Sequence, residues 1–523
     1  MDTRSRAVTL CCLGWVATAC LIVSSSCRSG VERSELLTSA GLSSTRDQRH
    51  LLIVLDGLRP DYVTPEVMPN LYALGQRGVV FRNHHAVYPT VTRVNASSIS
   101  TGSYPSVHGL MGNSVFFPAV DPTRFLSTSD RENLLRIEET EGELLTAPTM
   151  ADALEQAGRR MLVMSSGSSG SSYLLNHTVA GGGIIHYDFA LPASLGDAVA
   201  SVLGDVPPAA TPNLARNRFI VDAFFEVGLP QVDPSVTVMW LSDPDTTAHQ
   251  HGIGDPISTA ALSAVDTELA RIQEGLREAG LLDEFNIWVT SDHGFSTHTG
   301  GIDIAEVLAA SGADTTTSPS DAVVGAGAIY VRSEDPQAVS AIVTTLQATD
   351  GVGAIFTAAA TPRAHEGWVP GTLSFETARW THARSADILY SADWTDEQNT
   401  DGFPGTTAAG GTAGHGSSSP FDIHNTLIAA GPVLRVGAIN ELPSGNVDFA
   451  PTFLSLLGVP VPVSMEGRVL REAMTEGPEP GTLTVERRTD TAETLDGGYK
   501  VSAVSSIVDG SVYLDYTEVV RKP

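Results

Sequence analysis

Six side chains able to hold a divalent cation stand just behind apolar runs or in a glycine-flanked loop of this chain. Asp56 follows Leu51-Leu52-Ile53-Val54-Leu55, Asp245 and His249 follow the run 236–241, Asp292 and His293 follow Ile287-Trp288-Val289-Thr290, and His415 lies between Gly414 and Gly416. Asp245-Thr-Thr-Ala-His249 sets a carboxylate and an imidazole four apart, which on a helix puts both on one face within reach of one ion. Asp292 and His293 are adjacent, so a sharp turn, eased by Gly294, has to aim both inward. Three histidines and three aspartates, without sulfur, are enough for two divalent ions, zinc first and manganese second. Such a site needs a nucleophile. Thr92, after Pro89-Thr90-Val91, opens a segment expected to be helical; its hydroxyl there is either an N-cap or an activated alkoxide beside an anion-favouring helix terminus. Thr90 is the second candidate.

The elements that must position these residues alternate along the chain. The apolar runs at 51–55, 161–164, 236–241 and 287–290 carry no polar break, the pattern of strands covered on both faces. Helices are expected at 67–77, 92–101, 149–157, 213–227 and 258–279, with Gly102, Gly158 and Gly280 as stops. Strand 426–430 and helix 447–457 resume the pattern. This predicts an α/β fold with a largely parallel sheet, helices on both faces and an inserted cap at about 303–400. In such sheets ligands bind beyond the carboxyl ends of the strands, where Asp56, Asp243, Asp245, Asp292 and His293 fall. The catalytic domain is expected over 50–475, with 476–523 as a C-terminal extension packed on it, its last part from 480 as a short antiparallel addition.

Composition narrows the function. With 31 basic and 60 acidic residues among 523, the formal charge is −29, which argues against nucleic-acid polymers as partners. Both lysines, Lys500 and Lys522, are near the C-terminus, so no central catalytic lysine exists. All four cysteines, Cys11, Cys12, Cys20 and Cys27, precede residue 30. Arg4, Arg6, an apolar run to Val23 and small residues before Cys27 read as an export signal over 1–27 of the lipoprotein type, followed by a linker over 28–49. The protein is then expected at the periplasm or cell envelope, touching membrane only through a lipid on Cys27.

In this setting the chain resembles the nucleotide pyrophosphatase/phosphodiesterase family of the alkaline phosphatase superfamily. The resemblance rests on Val54-Leu-Asp-Gly-Leu-Arg59, Tyr88-Pro-Thr-Val-Thr-Arg-Val-Asn95, Ser100-Thr-Gly-Ser-Tyr-Pro-Ser-Val-His-Gly109, Pro244-Asp-Thr-Thr-Ala-His249, Ser291-Asp-His-Gly294 and Gly414-His-Gly416, in the family's order. Asp448-Phe-Ala-Pro-Thr-Phe-Leu-Ser-Leu-Leu-Gly458 and Glu466-Gly-Arg468 complete it. It implies an alkaline-phosphatase-like fold and one metal on Asp245, His249 and His415. It implies a second on Asp56, Asp292 and His293 with Thr92, the nucleophile of a phospho-threonine route, as its fourth ligand. Asn113 matches the asparagine that hydrogen-bonds a phosphoryl oxygen. The implied substrate is a small phosphodiester or pyrophosphate.

Two departures bear on the substrate. Arg93 replaces the apolar residue usual after the nucleophile and could grip a further phosphate, carboxylate or phosphonate oxygen. In the stretch that follows Asn113 there are no lysines, only Arg159-Arg160 and the run Ser165-Ser-Gly-Ser-Ser-Gly-Ser-Ser172, expected as a rim loop with Tyr173 as a stacking residue. The missing lysines favour a diester or pyrophosphate over the alternative, a phosphonate such as phosphonoacetate or a phosphomonoester. His84, His85, His298 and His424 read as structural or supporting groups rather than ligands. A sulfatase-type site is excluded because Thr92 cannot form the required aldehyde.

Overall fold

Five aliphatic residues in a row leave both faces of a strand needing cover, and β1 (Arg49–Leu55) lies inside a ten-stranded sheet. The computed structural model describes residues 48–312, 321–332 and 335–522; the expected signal and nearly all of the linker lie outside them. The other main strands are β2 (Val79–His85), β3 (Met161–Ser165), β4 (Gly183–His186), β5 (Ala190–Leu191), β6 (Val236–Leu241), β7 (Phe285–Thr290), β8 (His424–Ala430) and β9 (Ala438–Asn440). Their order is β9-β2-β8-β7-β1-β6-β3-β4-β5, with Ser444–Gly445 also paired to β2. From β7 to β4 the strands run parallel, and β8 and β5 are antiparallel to their neighbours.

Alternate residues of β1 feed two cores, as strand geometry requires. Leu52 and Val54 pack with Trp240 and Trp288 on one face, and Leu51, Ile53 and Leu55 with Met239 and Val289 on the other. Each such side chain contributes about 1.5–3 kcal/mol on burial. The second face is closed by the helix Pro256–Glu278, whose Val265, Leu269, Ile272 and Leu276 recur at helical spacing. Among the described residues no helix is long and apolar enough to cross a membrane.

Within 303–400 the chain builds a five-stranded sheet, in the order Ala322–Gly325, Ala328–Val331, Ile388–Ala392, Val352–Thr357, Leu373–Ser374. Its Ile329, Phe356 and Leu389 join the cluster that contains Leu52 and Val54. The last residues form the antiparallel strands Val485–Glu493, Tyr499–Val508 and Ser511–Arg521. Asp515 of this sheet meets His85 Nε2 at 2.9 Å, while His85 Nδ1 lies 2.8 Å from the Ser444 carbonyl. The second carboxylate oxygen of Asp515 accepts from Ser506. His85, His424 and Asp515 are close enough to form a His/Asp trio, but this carboxylate is fully hydrogen-bonded.

His50 on β1 stacks on Phe453 with ring centroids 5.0 Å apart, and neither ring nitrogen has a partner. Burial, helped by Arg159, lowers its pKa to about 3. An unfolded chain takes up that proton near pH 6.5 and the folded one does not, so stability falls as pH drops through this window. In urea unfolding at pH 7 and pH 5.5, His50→Leu is expected to lose about 1 kcal/mol less than the parent. Equal losses would contradict this assignment.

Candidate active site

Because β7, β1 and β6 are neighbours, the turns leaving their carboxyl ends converge. Asp56 follows β1 directly, and its Oδ2 accepts from Trp240 Nε1 at 2.9 Å. After β6, Asp243 turns away from the others: it accepts from the Asn213 N–H, Asn217 and Thr247, and so holds the loop that starts the helix Asp245–His251. That helix puts Asp245 Oδ1 3.2 Å from His249 Nε2, as the four-residue spacing predicts. After β7, the Gly57 N–H donates to Asp292 Oδ1 and Asn446 donates to the Asp292 carbonyl at 2.7 Å. Gly294 is required by close approach, since a Cβ there would lie 2.1 Å from the Phe421 carbonyl oxygen. His415 is delivered by the strand Ala413–Gly414, which pairs with Ser296 and Thr297 just past His293.

The result is two trios, Asp56/Asp292/His293 and Asp245/His249/His415, each with its ligand atoms mutually within 4.8 Å. The imidazoles of His293 and His415 stack with centroids 3.4 Å apart. All three histidines are oriented alike. Nδ1 of His249, His293 and His415 faces the carbonyl of Ala413, Gly294 and Thr90 at 2.9, 3.0 and 2.8 Å. Each Nδ1–H donates to its carbonyl, so each Nε2 keeps a lone pair, the arrangement of metal-binding histidines. Those lone pairs face carboxylate oxygens: His293 Nε2 is 3.1 Å from Asp292 Oδ2 and 3.5 Å from Asp56 Oδ1, and His415 Nε2 is 3.4 Å from Asp245 Oδ1. Asp56 Oδ1, Asp245 Oδ1 and Asp292 Oδ2 are buried without a hydrogen-bond partner. Lone pairs facing lone pairs in a buried site fit a cation at each trio, in contrast to the satisfied Asp515.

Burial, then Asp292 and Asp245, pushes the Asp56 carboxyl well above its ordinary range. Burial also opposes ionisation of Asp245 and Asp292, but His249 and His415 hold the first down and His293 the second.

Thr92 is the first residue of the helix Thr92–Thr101, and the capping position is taken by extended Val91. The hydroxyl is therefore not used as an N-cap; Oγ1 lies 3.3 Å from His293 Nε2. Thr90 donates to the Ser417 carbonyl and accepts from the Gly416 N–H, so it fastens the His415 loop instead of facing the trios. Asn113 Oδ1 accepts the Arg93 N–H at 3.0 Å, which fixes the amide and leaves its NH2 as a donor. Burial lowers the Arg93 guanidinium pKa while Asp56, Asp245 and Asp292 oppose this, and Arg93 Nε has no hydrogen-bond partner.

The reading of Tyr173 needs correction. Residues 169–174 form a helix capped by Ser168, whose hydroxyl accepts from the Ser171 N–H, and not a rim loop. Ser172 donates back to the Ser168 carbonyl, and Ser171 does the same. Tyr173 is 6% exposed, with Arg131 over its ring and its hydroxyl on Glu138, and has no face to offer a substrate.

Trp240 and Asn446 support the site and were not singled out by sequence. Trp240 lies in an apolar strand and reads as core; the only signal was a polar N–H near a strand's carboxyl end. Trp240→Phe is expected to keep the fold and weaken metal affinity about 10–100-fold, as loss of a supporting hydrogen bond does. Metal titration followed by calorimetry tests this, and unchanged affinity would contradict it.

A parallel α/β sheet carrying two Asp/His trios and a threonine at its carboxyl edge defines a class of metallohydrolase site. The profile of the type I phosphodiesterase / nucleotide pyrophosphatase family matches residues 50–395, and the chain belongs to that family. A venom phosphodiesterase of Macrovipera lebetinus is 27% identical over 287 residues, 54% of this chain and 28% of that protein. Ectonucleotide pyrophosphatase/phosphodiesterase family member 1 of Rattus norvegicus is 28% identical over 250 residues, 47% of this chain and 24% of that protein. The chain thus matches about a quarter of the length of these relatives. Murine ectonucleotide pyrophosphatase/phosphodiesterase 5, solved as an inactive threonine-to-alanine variant with AMP, shares the fold with a TM-score of 0.58 at 17% identity, covering 82% of this chain and all of that one.

Proposed function

We propose that the chain hydrolyses phosphodiester or pyrophosphate bonds of small substrates in two displacements through Thr92. The observation that carries this is Thr92 Oγ1 beside His293, at the edge of two trios whose carboxylate oxygens lack hydrogen bonds. Asp56, Asp292 and His293, with Thr92, would hold one divalent cation and Asp245, His249 and His415 the other, zinc suiting the nitrogen/oxygen set best. When bound, the pair supplies Lewis-acid stabilisation of the attacking and leaving oxygens. Thr92 Oγ forms the bond to phosphorus as the bond to the leaving oxygen breaks, and the leaving alcohol or phosphate departs with the threonine proton. Asn113 donates its NH2 to a non-bridging oxygen. Water then attacks the phospho-threonine and returns Thr92.

Membership of a family named for phosphodiesterases and nucleotide pyrophosphatases supports this reading, as does the inactive threonine-to-alanine form of the murine relative. Arg93, beside the nucleophile with Nε unpaired, suits a further anionic oxygen on the retained group. The reading includes the 50–475 catalytic domain with its cap and the 476–523 extension. It also includes export, cleavage that leaves Cys27 as the mature N-terminus and a lipid on that cysteine, supported by the apolar, arginine-led N-terminus.

The test is hydrolysis by the zinc-loaded protein of a nitrophenyl ester of a nucleotide, a simple phosphodiester, a phosphomonoester and phosphonoacetate. A preference for the diesters of about 100-fold, some 2.7 kcal/mol of transition-state discrimination, is expected. Preference for the monoester or phosphonoacetate would replace the function, with Arg93 as the first suspect.

A further inference from the structure

A cavity of about 430 Å³ is lined by His249, His415 and Asn113 of the site and by residues of the five-stranded sheet. Its walls include Met111, Phe125, Ile302, Tyr330, Trp380 and Tyr390. The polar ends of three of its large rings are used elsewhere. The Tyr330 hydroxyl donates to the Arg384 carbonyl, the Tyr390 hydroxyl to the Gly325 carbonyl, and Trp380 Nε1 to the Met111 carbonyl. These rings therefore present carbon to the cavity. Among the described residues that line it there is no Asp, Glu, Lys or Arg, in a chain that has 60 acidic and 31 basic residues.

We propose that this cavity seats the leaving group, and that the preferred leaving group is an uncharged, largely apolar alcohol or phenol. The inference rests on the phosphodiesterase reading above and narrows its substrate class. Thr92 stands at the trio of Asp56, Asp292 and His293, so an in-line attack drives the leaving oxygen to the opposite side of phosphorus. His249 and His415 of the other trio line the cavity, which sets it on the side where the departing group goes. A cavity of this size with apolar walls and a few polar groups at one end is an ordinary small-ligand site. A charged group pushed into it would lose its water without gaining an Asp, Glu, Lys or Arg as partner. Arg93 is not among the lining residues, so the cation that suits an anionic oxygen and the neutral cavity belong to different parts of the substrate.

The test compares methyl 4-nitrophenyl phosphate with its 3-carboxy-4-nitrophenyl counterpart, leaving groups of similar acidity that differ by one charge. The zinc-loaded full chain should favour the ester without the carboxylate by about 30-fold or more in kcat/KM. In calorimetry, Thr92→Ala protein should bind that ester more tightly by a similar factor. Ala326 is an exposed turn residue on the cavity wall, between Ala322–Gly325 and Ala328–Val331. Ala326→Arg should cut the preference at least about five-fold, mainly by improving the carboxylated ester. Equal use of the two esters, a preference for the carboxylated one, or an unchanged ratio in Ala326→Arg would overturn the assignment while diester hydrolysis stands. Failure of the parent to hydrolyse either ester, with no binding by the Thr92→Ala protein, would overturn the phosphodiesterase reading together with it.

Discussion

Thr92→Ala is expected to lower phosphodiester turnover by at least about 10³-fold while leaving the metal content at about two ions per chain. On the proposed mechanism the fall follows from losing the atom that bonds to phosphorus. Thr90 cannot substitute, since its Oγ1 is spent on the Ser417 carbonyl and the Gly416 N–H. The metals should stay because six ligands remain in the two trios. Alanine suits a helix's first turn and removes no cap, since Val91 holds that position, so unfolding midpoints should move little. Elemental analysis and single-turnover kinetics check both halves. Full activity in the variant would remove the covalent mechanism. Loss of one metal with activity would make Thr92 a structural ligand first.

The second large effect is expected from chelation. Stripping the protein with a strong chelator should abolish turnover and lower the thermal midpoint, and zinc or manganese should restore both. The three carboxylate oxygens without hydrogen bonds are buried close together, and without cations they repel. A ligand held at 100 times its dissociation constant stabilises by about 2.7 kcal/mol, and two such sites would add. A stripped protein with unchanged midpoint and activity would contradict cation binding at these trios. Chelation with Asp515→Asn in place should give the same fall, because that carboxylate is already satisfied by His85 and Ser506.

Much of this arrangement was readable because its causes are local. An unbroken Leu51–Leu55 run can only be a doubly covered strand, so Asp56 had to lie at a strand's carboxyl end. The Asp245–His249 spacing and the Gly102 stop are one-turn properties, readable in the same way, while the grouping of the six ligands into two trios came from the family resemblance. The Ser165–Ser172 run was misjudged because serine propensity favours loops, whereas here Ser168, Ser171 and Ser172 pair within their own turn, and Ser166 and Ser169 bond to Asn217 and the Ser129 carbonyl. Trp240 and Asn446 were invisible for another reason. Their contacts with Asp56 and Asp292 span 184 and 154 residues, and nothing in the local pattern marks a strand tryptophan as a donor. The neutral cavity depends on where the inserted sheet packs, which periodicity does not specify.

The seam between Thr90 and the His415 loop has a consequence for how activity is acquired. His415 Nδ1 reaches the Thr90 carbonyl across 325 residues, and the Gly416 N–H reaches the Thr90 hydroxyl across 326. Closing loops of that length is among the late events for a chain with this topology. The segment before the Thr92 helix and the His415 loop are thus brought together only after the inserted sheet between them has been accommodated. A fragment ending before residue 415 would carry Thr92 and one whole trio, yet would have the other trio incomplete and the cavity without its His415 lining. Full cation uptake would then mark the completed fold, and an unfinished or nicked chain would be catalytically silent.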